Sequence, residues 1–276
     1  MEPRTHISTI LRLLKLEQRI SDSKVFFSNA RTETARTLMK HLGDICGAVI
    51  RYTTADIKSP PQSARMAPAA IALLARLIIE QYETLYYLCF EKISDSEREF
   101  RIELFGLHAQ REAVKVKLSL PKFSSAWDES IWSMVLQSYV MTLQKNRYFT
   151  NLPERIRSHL LEGRTPFFNL RTQTYGRGIH RSAEIAALYK LFSNVAHSTA
   201  LGLHAARATP YRQTIDGQNL IALALCCCVR LLAAALDDYT KLRPRLRAVV
   251  SSSERAFLAD ERAHPLHLWE ARTTKV

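Results

Sequence analysis

Glycine and proline are scarce in this chain, at 8 and 10 of 276 residues. Turn-dense β folds draw heavily on both, so their scarcity points to long regular elements. No stretch alternates apolar and polar residues with period two, which excludes half-buried strands as the main building block. The five cysteines (Cys46, Cys89, Cys226, Cys227, Cys228) form no C-x-x-C pair and have no histidine at metal spacing, so no metal site is expected. Free thiols in a reducing cytoplasm are the expectation. The start, MEPRTHISTILRLLKLEQR, has no long apolar stretch and no small-residue cleavage site, so no signal peptide is expected. The longest apolar run, LIALALCCCVRLLAAAL (220–236), falls short of the ~20 residues that span a bilayer and carries Arg230 near its centre. It reads as a buried core helix, without membrane insertion. The loops that cradle nucleotides, G-x-x-x-x-G-K-[ST] and G-x-G-x-x-G, are missing, as are H-E-x-x-H and G-x-S-x-G. No cofactor is implied.

What the chain does have is positive charge and helical periodicity. The formal net charge is +13, with 27 Arg against 12 Lys. That balance suits RNA, DNA or an anionic surface, and equally a basic solvated exterior. Apolar residues recur at helical spacing through 7–20, 28–57, 69–92, 94–118, 127–145, 153–161, 183–201 and 218–242, with a final helix beyond Ser251. Pro60 and Pro61 separate the second and third helices. Ser94 or Asp95 caps the fourth. The stretch 162–182 is the longest irregular connection. The expectation is an all-α, antiparallel multi-helix bundle forming a single domain over 1–276.

Two groups of polar residues stand out. Arg76 and Glu80 lie one turn apart on a helix that is apolar on nearly every side, so they can pair. This is either an internal ion pair that sets helix register or the charged floor of a site. In LYKLFSNVAHST (188–199), with Tyr189 as zero on a helical wheel, Ser193 and His197 fall at roughly 40° and 80°. Ile185, Leu188, Phe192 and Val195 gather on the other flank, so the three polar side chains edge the core face. They either hydrogen-bond to neighbouring helices or carry chemistry. RGIHRS (177–182), with Arg177 and Arg181, offers anion contacts, as does Lys190, or forms a basic solvated loop.

The R-x-x-x-E pair (Arg76, Glu80), the aromatic-Gly step (Tyr175-Gly176) and Y-x-x-x-S-x-x-x-H (Tyr189, Ser193, His197) together resemble a bacterial all-helical family of unknown function. The resemblance covers about residues 65–205. It implies a family-like core there, with N-terminal helices (5–57) and C-terminal helices (218–270) packed on it. It also implies a shared polar centre made by Arg76, Glu80, Tyr189, Ser193 and His197. The chain departs from the family at Tyr175, where Trp is common, and at Ser198-Thr199, where Pro-Ser is frequent.

More loosely, the chain is similar to the HEPN helical-bundle superfamily, which includes metal-independent ribonucleases with R-x(4–6)-H on a late helix. That similarity implies a dimer-interface site with His197 as acid/base and Arg76 as the anion contact. Arg36 with His41, Arg101 with His108 and Arg262 with His267 fit the spacing, but about 2.6 such matches arise by chance in a chain with this many Arg and His. The late helix has Lys190 before His197, and Lys lacks the planar fork of Arg. The function expected first is an interaction or nucleic-acid-binding module, a homodimer with RNA or a protein as partner. A HEPN-like ribonuclease acting in phage defence or as a toxin is the alternative.

Overall fold

The computed structural model describes residues 3–23, 29–58, 68–119, 129–168, 182–196, 215–242 and 244–263. Among the described residues no strand occurs, and the regular elements are helices, as the periodicity implies. In chain order these are α1 (Pro3–Ser21), α2 (Ala30–Lys58), α3 (Pro68–Leu85), α4 (Asp95–Ser119), α5 (Glu129–Lys145), α6 (Arg147–Thr150), α7 (Glu154–Leu161), α8 (Ser182–Ala196), α9 (Ile215–Lys241), α10 (Pro244–Val249) and α11 (Ser252–Ala263). α3 widens into a π-helical turn at Tyr86–Phe90 before the chain breaks. The start of α4 is capped as expected, with Ser94 Oγ accepting from Glu97 N at 3.2 Å. Two short helices escape the periodicity. Asn146 builds α6 by accepting from Tyr148 N and Phe149 N. Pro244 opens α10, where its missing N–H costs nothing.

The chain forms two compact units, one of residues 1–27, 35–90 and 172–276, the other of 28–34 and 91–171. In the first unit α9 is the axis, packed against α1, α3, α10 and α11, while α3 also packs on α8. Residues on all sides of α9 are buried, among them Ala222, Leu225, Cys228, Leu231, Leu232, Ala235 and Leu236. The stretch Asn219–Lys241 is long and apolar enough to cross a membrane, and 78% of its apolar window lies buried inside the fold. Arg230, in the middle, is 2% exposed and reaches Glu184 of α8 at 3.3 Å. The apolar stretch is longer than the 220–236 run read from sequence, and its charge is answered by a carboxylate from a neighbouring helix. α2 is tied to α3 by Gln81 Nε2 donating to the Leu38 carbonyl at 3.0 Å.

In the second unit the N-terminal half of α4 faces the C-terminal half of α5. Phe100, Leu104 and Leu107 cluster with Leu143, Phe149 and Leu160, which fixes the pair as antiparallel. Gly106 lets the helices approach: a Cβ there would meet the Tyr139 ring at 2.8 Å from Cζ. Arg101, side chain 8% exposed, sits between Glu97 (2.6 Å) and Glu91.

Candidate functional site

α3 turns Ile71, Ala72, Ala75, Ile78, Ile79 and Tyr82 into the core. The opposite arc then carries Leu73, Arg76, Leu77 and Glu80, which share one face by their i, i+3, i+4, i+7 spacing. α8 buries Ile185, Leu188, Phe192 and Val195, the flank the helical wheel marks out. Tyr189, one residue past Leu188, therefore falls at the edge of the α3–α8 contact.

The three side chains meet there. Arg76 Nε donates to Glu80 Oε1 at 2.8 Å. Tyr189 Oη donates to the same oxygen at 2.9 Å. The Arg76 guanidinium carbon lies 5.3 Å from the centroid of the Tyr189 ring, within cation–π range. The hydrogen bond to Glu80 holds the Arg76 guanidinium above its ordinary range, against the smaller effect of partial burial. The Arg76 and Glu80 side chains keep 23% and 36% of their surface in water. The cluster is open to solvent, neither a sealed core pair nor a deep cleft.

The other candidates divide. Ser193 is on α8, its hydroxyl buried and without a hydrogen-bond partner among the described residues. It does not join the Glu80 network. Lys190 is exposed on the same helix. His197, Arg177 and Arg181 lie outside the described residues, as do Tyr175 and Gly176. Of the pairs with ribonuclease-like spacing, Arg101 is enclosed by two carboxylates, and His108 Nδ1 is 2.9 Å from the Gly163 carbonyl. Arg262 is held by Asp237 at 2.8 Å and Asp238 at 2.6 Å, and His267 lies outside the described residues. No group of three or more His, Cys, Asp or Glu among the described residues is arranged to hold a metal ion.

Sequence reasoning passes over Leu73 and Leu77, which are exposed beside the charged pair. Their signal is positional. On a helix apolar all round, the face shared with an Arg–Glu pair is the one turned to solvent, and the leucines in register with that pair turn with it.

Compared with protein-family models, with characterised proteins and with solved structures, the chain shows no match.

Proposed function

We propose that this protein is a helical interaction module whose contact face is the outer side of α3 with the adjoining edge of α8. The observation that carries this reading is the alignment of two exposed leucines, Leu73 and Leu77, with the Arg76–Glu80–Tyr189 cluster on one surface. Apolar anchors beside Arg and Tyr are the composition of protein-interface centres. The hydrogen bonds hold Arg76 and Tyr189 in place before a partner arrives, which lowers the ordering cost of binding. A protein partner is favoured over RNA because Glu80 already compensates the charge of Arg76, so this face offers little net attraction to phosphate. The ribonuclease alternative rests on His197, and no described residue adds support to it.

The test compares wild-type protein with the Leu73→Asp/Leu77→Asp double variant as affinity baits. A protein partner retained by wild type in high salt and after nuclease treatment, and lost by the double variant at unchanged melting temperature, is the expected outcome. Equal retention by both baits, or retention abolished by salt or nuclease, refutes the reading; the latter result points to a polyanion.

A further inference from the structure

α11 is held to the first unit more by charge than by apolar burial. Of its twelve residues only Leu258 is buried. Near its start, Glu254 Oε2 accepts from Arg19 Nη2 of α1 at 2.7 Å. At its end Arg262 reaches α9, where Asp237 and Asp238 stand side by side with their side chains 16% and 14% exposed. Adjacent carboxylates that far out of water need a cation between them. Arg262 Nη1 supplies it, donating to Asp237 Oδ2 at 2.8 Å and to Asp238 Oδ1 at 2.6 Å. Lys241, half in water, adds a contact to the same two oxygens.

This seat offers more than Arg262 uses. Both of those bonds leave from one nitrogen, so the guanidinium bridges two carboxylates and lays its fork across neither. Asp238 Oδ2 is buried with no hydrogen-bond partner among the described residues. So is the hydroxyl of Tyr82, an α3 residue with no exposed surface that lies within the fields of both Asp238 and Arg262. Burial first, and then Asp238, hold the proton on that hydroxyl, so it remains a donor. Unanswered buried oxygens are rare in folded proteins, and two beside one charged seat mark it as able to take further bonds.

We infer that the Asp237–Asp238 seat recognises an arginine side chain of another chain, and that Arg262 fills it in cis, keeping it closed until α11 is displaced. The ligand chemistry is displayed by the residue that fills the seat. A guanidinium fork laid across Asp238 answers both of its oxygens, which a single nitrogen does not. An ammonium is a point donor and lacks that second contact. Tyr82 adds a donor for an oxygen carried with the arginine, as in a peptide. α11 can leave because one leucine and ion pairs in partial contact with water hold it, and such pairs are worth little each. The seat uses none of the residues of the α3–α8 face, so the two readings stand or fall separately.

The probe is N-acetyl-arginine amide, titrated by calorimetry into wild-type protein and into Arg262→Gln, whose fold is checked by circular dichroism. Removing the cis occupant is expected to tighten binding about tenfold, as for a seat that stands open about a tenth of the time. Adding Asp238→Asn to Arg262→Gln is expected to abolish binding, and N-acetyl-lysine amide is expected to bind more weakly to either protein. Wild type supplies a readout that needs no variant. There the arginine probe is expected to speed amide hydrogen exchange along α11 and to leave the middle of α9 unchanged, while Leu73→Asp/Leu77→Asp responds as wild type does. No binding by folded Arg262→Gln, equal affinity with and without Arg262, an equal response to the lysine probe, or α11 exchange unmoved by the arginine probe overturns the inference.

Discussion

At the scale of single residues, exposure decides what each charge contributes. From sequence Arg76 and Glu80 are either an internal ion pair, for which losing one partner costs roughly 3–5 kcal/mol, or the charged floor of a site. Their side chains remain partly in water, so Glu80→Ala is expected to cost about 1 kcal/mol or less in urea unfolding. Glu184→Ala is the contrast. It removes the carboxylate 3.3 Å from the buried Arg230, and a larger loss than for Glu80→Ala is expected in the same measurement. Glu254 provides a pH dependence. The Arg19 hydrogen bond, helped by bonds from Ser251, pulls its carboxyl down to about 2. A depressed carboxylate pKa stabilises the fold above the unfolded value, about 4.3, and that contribution disappears as pH falls through about 2. Glu254→Gln is therefore expected to lower the melting temperature at neutral pH, with the difference from wild type closing as the pH approaches 2. The thiols belong here too. Burial pushes Cys226 up to about 11 and raises Cys227 and Cys228 as well. Thiol titration of native protein near neutral pH is expected to be slow, and to reach all five only after denaturation.

At the scale of elements, the long helices were legible because the apolar period of 3.6 survives whatever the helices pack on. The short ones were not. α6 depends on Asn146, whose side chain caps it and also donates to the Ser96 carbonyl at 3.0 Å. That second bond is a contact fifty residues away, invisible to a local pattern. The close approach of α4 and α5 was equally hidden, since it uses the absent side chain at Gly106. Gly106→Ala improves intrinsic helix propensity by up to about 1 kcal/mol yet drives a methyl group into the Tyr139 ring. Net destabilisation of about 1–3 kcal/mol is expected in thermal or urea unfolding, the usual cost of overpacking. α3 teaches the converse lesson. It is apolar on nearly every side in sequence yet puts only one face into the core, while the segment read as a buried core helix, 220–236, lies on α9, the axis of its unit.

At the scale of the whole molecule, each unit has its own core, and protection should follow burial. Backbone amides in the middle of α9 are expected to exchange slowest with deuterated water, because apolar neighbours surround that helix, while α5, open along one side, exchanges sooner. Comparable exchange in α9 and α5 would contradict this ordering.

By itself the amino-acid sequence determined an all-helical chain and most of its long segments, and the five polar residues it marked on two helices include the three that converge at the α3–α8 edge. It could do so because helical period, capping and i, i+4 pairing are local properties. How far Arg76 and Glu80 stand in water, which leucines are left uncovered and which carboxylate answers Arg230 were decided only in the tertiary structure. Those outcomes depend on which faces meet, and every one of them joins residues that are distant along the chain.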